Sequence, residues 1–149
     1  MLPSAVLFAC NYNRVRSPMA EGLMKRLFGV QVFVDSVGLR TGGMNVGADP
    51  FTVAVMDEVG VDLSAHRAKT FDDLEDQSFD LVISLTPQSQ HRAVEMARGR
   101  ATDLEYWATH DPTLVVGSRE LMLSAYREVR DSLEARLRAR FGLVRTFSG

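Results

Sequence analysis

Short apolar runs alternate with longer amphipathic stretches along this chain. Four runs rich in strand-forming residues predict β-strands: Ala5 to Ala9 ending at Cys10, Val32 to Val37, Leu81 to Leu85, and Leu104 to Trp107. The first run is uninterrupted, which is typical of a buried strand in a parallel sheet. Because helical stretches separate the runs, the order favours an α/β fold with a doubly wound parallel sheet. Ligands bind such sheets beyond the carboxyl ends of the strands, where we expect Cys10.

The helical stretches begin at residues that are typical of helix N-termini. Three helices are predicted from these residues: one capped by Ser17 and starting at Pro18, one from Asp49 and Pro50 closed by Gly60, and one from Thr86 and Pro87 through Ala97. Glycine after the last helical residue is a common stop signal, as predicted at Gly60.

Two further segments complete the predicted architecture. A last helix spans roughly 119–141, with an apolar face formed by Tyr126, Val129, Leu133, Leu137 and Phe141. The arginines of this helix are expected to form a solvated surface. The glycine-rich stretch from Thr41 to Gly47 predicts a mobile loop beside the ligand site.

Length and composition are those of one globular domain covering residues 1–149. Hydrophobic residues make up 46% and charged residues 24% of the chain, which is ordinary for a soluble protein. The net charge of −2 does not indicate nucleic-acid binding, because proteins that bind nucleic acid usually carry a basic surface. No segment approaches the ~18 apolar residues of a membrane span, and a single cysteine suits a reducing compartment. We therefore expect a cytoplasmic protein with neither nucleic acid nor membrane as a partner.

The stretch that follows the first strand has the chemistry of an anion-binding loop. It consists of Cys10, Asn11, Tyr12, Asn13, Arg14, Val15, Arg16, Ser17 and Pro18. Backbone N–H groups of a tight loop before a helix can converge on one point, where the helix dipole adds positive potential. The planar guanidinium of Arg16 can bind two phosphate oxygens. The same field favours the thiolate form of Cys10, which makes it a nucleophile for phosphorus.

Taken one at a time, these residues have ordinary structural explanations. A lone cysteine at a strand end is usually a small buried hydrophobic residue. An isolated arginine is usually a surface cation. The combination of Cys10, Arg16 and the Ser17–Pro18 helix start is what indicates a phosphate site.

Four motifs in this order resemble the low-molecular-weight protein tyrosine phosphatases, whose fold is shared by thioredoxin-coupled arsenate reductases. The motifs are the cysteine loop at 10–18, Asp35–Gly38 after the second strand, 62–67 after a helix, and Asp111–Pro112 before the last helix. The resemblance covers nearly the whole chain. It implies a three-layer fold with a four-stranded parallel sheet and helices on both faces.

The resemblance also implies roles for individual residues. Residues Asn11 to Ser17 would bind phosphate around the nucleophile Cys10, and Asp111 would donate and later accept a proton. An aspartate before proline is also common in turns and at helix starts, which is how we interpret Asp49. A left-handed asparagine and its hydrogen-bonding partners are implied at Asn13, Ser17, Ser36 and His66. Neither metal nor cofactor is implied.

The chain departs from the family pattern at several positions. Tyr12 stands where glycine is usual, and its ring is expected either to form a pocket wall or to point outward. Val15 replaces a second cysteine, so Cys10 has no thiol to protect it within the chain. Thr113 and Leu114 follow Asp111–Pro112 where family tyrosine phosphatases often carry aromatic residues. Phosphatase chemistry is therefore better supported than phosphotyrosine specificity.

Three functions compete on this basis. The first is a cysteine-dependent phosphomonoesterase that acts on phosphorylated protein or a small phosphomonoester. The second is arsenate reduction, which would need an external thiol because a disulfide relay requires more cysteines than the one present. The third is a silent module that binds phosphate or phosphoprotein, and it is ranked last because Cys10, Arg16 and Asp111 are all present. Oligomeric state does not follow from the sequence.

Overall fold

The computed structural model describes residues 2–142 and is built around one parallel sheet. Its strands are β1 (Ala5–Cys10), β2 (Phe33–Gly38), β3 (Leu81–Ser84) and β4 (Asp103–Tyr106). They are ordered β2-β1-β3-β4 and every pairing is parallel. Each predicted strand is confirmed to within one residue at either end.

Four α-helices connect and cover the strands in the described part of the chain. They are α1 (Arg16–Phe28), α2 (Pro50–Asp57), α3 (Pro87–Ala97) and α4 (Arg119–Phe141). Short 3-10 helices occupy Gly29–Gln31, Phe71–Asp73 and Pro112–Leu114. The predicted starts at Asp49 and Thr86 are confirmed, because both side chains cap their helices.

Alternation along β1 separates two hydrophobic cores. Val6 and Phe8 pack on one face with residues of α1, α2 and α4. Leu7 and Ala9 pack on the other face with residues of α3. Successive side chains of a strand point to opposite faces, so the apolar run of β1 serves both cores. The molecule is thus a three-layer α/β structure, as predicted.

Two expectations about helices are wrong. Helix α1 begins at Arg16 after Val15, not at Pro18 after Ser17, because the Ser17 hydroxyl bonds side chains of the cysteine loop. Pro18 is tolerated in this first turn, where a backbone N–H has no helical acceptor. In α4, Arg130 is buried instead of solvated, because its Nη1 donates to the Val55 carbonyl and to Glu58.

None of the helices within residues 2–142 is long and apolar enough to cross a membrane.

Candidate active site

Cys10 ends β1 at the middle of the sheet's carboxyl edge. Its side chain is buried, and its Sγ lies 2.9 Å from the hydroxyl oxygen of Ser17 in the first turn of α1. Strand β1 lies between β2 and β3, and the chain leaves it toward α1 on one face of the sheet. Cys10 therefore stands at the switch point where parallel α/β sheets bind ligands.

The loop after Cys10 presents backbone donors that the protein does not use. Within residues 2–142, the N–H groups of Tyr12, Asn13, Arg14 and Val15 have no protein acceptor. Backbone N–H groups in folded proteins are nearly always paired, and free ones at a helix N-terminus form an anion site. The loop is therefore preorganised to accept the oxygens of a bound oxyanion.

Asn13 fixes the shape of this loop. Its φ of 58° is left-handed, a conformation that asparagine tolerates better than most residues. Its buried Nδ2 donates to Ser17 Oγ at 2.8 Å and to Ser36 Oγ at 2.9 Å, while His66 Nε2 lies 2.9 Å from the Asn13 carbonyl oxygen. The structure thus brings together Asn13 and the three hydrogen-bonding partners that the family resemblance implied for it.

Two further members of this network were missed by sequence reasoning. The backbone N–H of Lys69 donates to Asn13 Oδ1 at 3.0 Å. The Ser36 hydroxyl donates to the carboxylate of Glu21, a residue of α1 for which no role was predicted from the sequence. Lys69 also pairs through its ammonium with Asp35, so the segment from His66 to Lys69 is bound to both the loop and β2.

Gly38 at the end of β2 permits the close approach of strand and loop. A Cβ atom at this position would lie 2.7 Å from the Asn13 nitrogen and from the Tyr12 carbonyl carbon. Immediately beyond it, the N–H groups of Leu39 and Arg40 donate to the Asn11 carbonyl at 2.9 and 3.1 Å. The glycine of the 35–38 motif is therefore required by backbone contact with the cysteine loop.

The other flank of the loop is held by the cap of α3. The Thr86 hydroxyl donates to Asn11 Oδ1 at 2.8 Å, and the Ser89 hydroxyl lies 3.2 Å from the Ala9 carbonyl. The Thr86–Pro87 pair indicated only a helix start. Its second role depends on the neighbouring positions of β1 and β3, which the sequence does not reveal.

Arg16 is anchored with its guanidinium beside Asp111. Its Nη1 donates to the Thr109 carbonyl at 3.0 Å, and its Nη2 lies 3.8 Å from Asp111 Oδ2. The side chain is only 12% exposed. Because the chain beyond β4 supplies both contacts, the strand order places Arg16 and Asp111 over the same pocket.

Asp111 keeps one carboxylate oxygen for the pocket. Its Oδ1 accepts from the Thr113 N–H at 3.0 Å and the Thr113 hydroxyl at 2.7 Å, which caps the short helix Pro112–Leu114. Its Oδ2 lies toward Arg16, and the side chain is 31% exposed. Asp111 is therefore accessible from both the pocket and the solvent.

The other Asp-Pro pair has a structural role, as predicted. Asp49 Oδ1 accepts from the Phe51 N–H, and Asp49 Oδ2 accepts from the Tyr126 hydroxyl at 3.2 Å. Burial raises the pKa of Tyr126 above its ordinary value, and the negative charge of Asp49 raises it further. Tyr126 thus stays protonated and donates to Asp49 throughout the neutral range.

The pocket itself is small and mixed in character. Its volume is about 90 Å³ and it is lined by Cys10, Tyr12, Arg14, Val15, Arg16, Asp111 and Thr113. Tyr12 is one of the lining residues, and its side chain is half-exposed. The Arg40 guanidinium stacks 5.6 Å from the centre of the Tyr12 ring. The loop 41–47 adjoins the pocket through Gly47, whose carbonyl accepts from Arg14 Nε at 3.0 Å.

No group of three or more His, Cys, Asp or Glu side chains within residues 2–142 is arranged to hold a metal ion.

Comparison with known proteins places these features in context. The model of the family described as low molecular weight phosphotyrosine protein phosphatase matches residues 5–146. An arsenate reductase of Halalkalibacterium halodurans is 31% identical over 140 residues, covering 93% of this chain and 95% of that protein.

Solved structures of proteins with both names share this fold. An arsenate reductase in the phosphate binding state is 28% identical, with a TM-score of 0.74 over 94% of this chain and 98% of that one. The tyrosine phosphatase AmsI of Erwinia amylovora has a TM-score of 0.77 over 97% of this chain and 95% of its own, at 20% identity, and so shows the shared fold.

Proposed function

The chain belongs to the low-molecular-weight phosphotyrosine protein phosphatase family, and from this we propose that it hydrolyses phosphate monoesters through a cysteinyl-phosphate on Cys10. The observation that carries the proposal is the convergence of Cys10, Arg16 and Asp111 on one pocket of about 90 Å³. These groups supply a nucleophile, a bidentate oxyanion partner and a proton donor.

The first half-reaction transfers the phosphoryl group to sulfur. The Cys10 thiolate attacks phosphorus, a P–S bond forms, and the P–O bond to the leaving group breaks. Protonated Asp111 gives its proton to the departing oxygen. Arg16 and the free N–H groups of residues 12–15 hold the three equatorial oxygens, where negative charge is spread in the transition state.

The second half-reaction restores the enzyme. Asp111, now ionised, accepts a proton from a water molecule that attacks phosphorus. A P–O bond forms, the P–S bond breaks, and phosphate leaves. The Ser17 hydroxyl at 2.9 Å can donate a hydrogen bond to the departing thiolate, which makes Cys10 a better leaving group.

An aromatic phosphomonoester suits the pocket best. The half-exposed Tyr12 ring offers an apolar wall to a phenol leaving group, in a position where the family usually has glycine. We therefore propose phosphotyrosine, in a protein or as a small aryl phosphate, as the preferred substrate class. An unpaired thiol persists best in a reducing compartment, so the proposal includes a cytoplasmic enzyme acting as one domain over residues 1–149.

Arsenate reduction is the second candidate, and the named arsenate reductases among the relatives favour it. Cys10 would attack arsenate and form an S–As bond with loss of water. A low-molecular-weight thiol would then attack Cys10 sulfur, leaving a mixed disulfide and arsenite. Arsenic gains the two electrons that the two thiols lose, and a second external thiol must reduce the mixed disulfide, because the chain has one cysteine.

One set of assays separates the candidates. Hydrolysis of an aryl phosphate is measured with and without a metal chelator, for the wild type, Cys10→Ser and Asp111→Asn. The phosphatase proposal requires activity that resists chelation and is lost in Cys10→Ser. Arsenite release that depends on added thiol, without phosphatase activity, would instead support the second candidate. Oxyanion binding without either reaction would support a silent module.

A further inference from the structure

We infer that the mouth of the pocket has one aliphatic and one cationic side, and that it recognises the polypeptide on both sides of a phosphorylated residue. The aliphatic side is defined as Leu114, Val116 and Leu121. The cationic side is defined as Arg14, Arg40 and Arg67. The inference rests on the proposed phosphatase function and narrows its substrate to a protein segment with matching flanks.

The sheet order places the two sides apart. The chain beyond β2 contains Arg40 and leads into the loop 41–47, whereas the chain beyond β4 contains Asp111 and Leu114. In the order β2-β1-β3-β4, these two segments lie on opposite sides of the Cys10 loop. A substrate segment that crosses the pocket therefore meets one side before the phosphate and the other after it.

The aliphatic side follows directly on the proposed proton donor. Leu114 is 71% exposed and Val116 is 86% exposed, only three and five residues after Asp111. Leu121 is half-exposed and packs over Gly117, where a Cβ atom would lie 2.6 Å from Leu121 Cδ2. Single exposed apolar residues need no explanation, but three of them within eight residues, directly after the pocket residue Thr113, suggest a binding surface.

The cationic side lacks carboxylate partners. Within residues 2–142, Arg14, Arg40 and Arg67 form no ion pair with Asp or Glu. Elsewhere in the described part of the chain, carboxylates lie within ion-pair distance of Arg26, Arg92, Arg127, Arg130, Arg138 and Arg140, but not of Arg98, Arg100, Arg119 or Arg136. What distinguishes Arg14, Arg40 and Arg67 is therefore their position around the pocket.

Arg14 and Arg67 share Gly47 as a neighbour, and Arg40 lies over Tyr12, which lines the pocket together with Arg14. Arg14 Nε donates to the Gly47 carbonyl, and an Arg67 guanidinium nitrogen lies 3.9 Å from the position of a Gly47 Cβ. The Arg40 guanidinium stacks on the Tyr12 ring at the pocket wall. Unpaired like charges repel one another, so an acidic group on the substrate would relieve this repulsion.

These features fit a phosphotyrosine flanked by aliphatic side chains at one end and acidic side chains at the other. Burial of aliphatic flanks against Leu114 and Val116 removes apolar surface from water. Acidic flanks gain from the unpaired arginines. A free arsenate ion or a small phosphate ester is too short to reach both sides.

The test compares kcat/KM for phosphotyrosine peptides and a free aryl phosphate. One peptide has aliphatic residues before the phosphotyrosine and acidic residues after it, a second has the reverse order, and a third has Gly and Ser on both sides. We expect one mixed peptide to exceed the Gly-Ser peptide about tenfold. Leu114→Ser with Val116→Ser should remove the advantage of the aliphatic flank. The double variant Arg40→Gln with Arg67→Gln should remove the rate advantage of the acidic flank. The salt dependence of that advantage should disappear with it.

Matched controls lie at the opposite edge of the sheet. Val30→Ser and Arg98→Gln alter exposed residues just after the carboxyl ends of α1 and α3, and both should keep the flank preference. Equal rates on all three peptides would overturn the inference while aryl phosphate hydrolysis upholds the proposed function. The inference would also be overturned if the Leu114/Val116 and Arg40/Arg67 variants lowered the rates on peptides and on aryl phosphate by the same factor. A wild type inactive on every substrate would refute both.

Discussion

The hydroxyl oxygen of Ser17 lies 2.9 Å from the sulfur of Cys10 and joins the nucleophile to the loop that surrounds it. The same oxygen accepts from the Asn13 amide at 2.8 Å and lies 3.3 Å from the Val37 carbonyl. A hydroxyl held in this way can stabilise a thiolate without moving. The helix start that predicted a cap at Ser17 instead supplies a partner for the sulfur.

Ser17→Ala should slow both alkylation of Cys10 and turnover. Hydrogen bonds to charged groups contribute about 1.5–3 kcal/mol, so the loss corresponds to roughly ten- to hundredfold. Stopped-flow alkylation by iodoacetamide at neutral pH measures the first effect directly. Ser4→Ala removes an exposed hydroxyl far from the loop and should leave both rates unchanged. Unaltered alkylation in Ser17→Ala would contradict this role.

Asn13→Ala should destabilise the fold by about 3 kcal/mol. It removes one hydrogen bond each from the hydroxyls of Ser17 and Ser36, leaves the Lys69 N–H without its acceptor, and places alanine in a left-handed conformation. Urea denaturation measures the change.

Asn45 provides a matched control for this substitution. It has a φ of 55° but is exposed in the loop 41–47, so Asn45→Ala should cost only the backbone term of about 1 kcal/mol. Similar decreases in the free energy of unfolding for Asn13→Ala and Asn45→Ala would show that the hydrogen bonds of Asn13 contribute little to stability.

Asp111→Asn should make turnover depend on the leaving group. For a phosphate ester with a poor leaving group, loss of the proton donor should lower kcat about 100-fold or more. Nitrophenyl phosphate needs less protonation and should lose less. Asp49→Asn removes the other Asp-Pro carboxylate and should change both substrates by the same factor. A leaving-group effect in Asp49→Asn but not in Asp111→Asn would identify Asp49, and not Asp111, as the proton donor.

Glu58→Gln should destabilise the protein at neutral pH but not in strong acid. Hydrogen bonds from Arg127 and Arg130 lower the pKa of Glu58 from 4.5 to about 2. A lowered pKa means that the stabilisation is complete above about pH 4.5 and is lost as the pH falls toward 2. Because Glu58 is 38% exposed, the difference at neutral pH should be about 1 kcal/mol.

Urea denaturation of wild type and Glu58→Gln from pH 7 downward checks this prediction. The two free energies of unfolding should converge as the pH drops below the ordinary range of a glutamate. A difference that stays constant with pH would mean that packing, not charge, accounts for it.

The sequence predicted the fold well because its signals are local. The strand of Ala5 to Cys10 is marked by an uninterrupted apolar run, and α4 by regularly spaced apolar residues. Arg130 was missed because its burial depends on where α2 places the Val55 carbonyl and Glu58. No pattern within one helix carries that information.

The site was predictable only where residues share a motif. Cys10, Asn13 and Arg16 lie in one short loop, and family resemblance was needed to connect them with Ser36, His66 and Asp111. Lys69 contributes through a backbone N–H, which every residue but proline has, and Thr86 through a hydroxyl of a kind that is common at helix starts. Their roles follow from tertiary placement alone.

In the proposed mechanism, Cys10 carries the phosphoryl group between the two half-reactions. Rapid-quench mass spectrometry of Asp111→Asn during turnover of nitrophenyl phosphate tests it most directly, since slow attack by water should let the intermediate accumulate. We expect one phosphoryl group per chain, mapped to Cys10 and formed together with a burst of nitrophenol. Steady hydrolysis with unmodified Cys10, or turnover by Cys10→Ser at the wild-type rate, would contradict it.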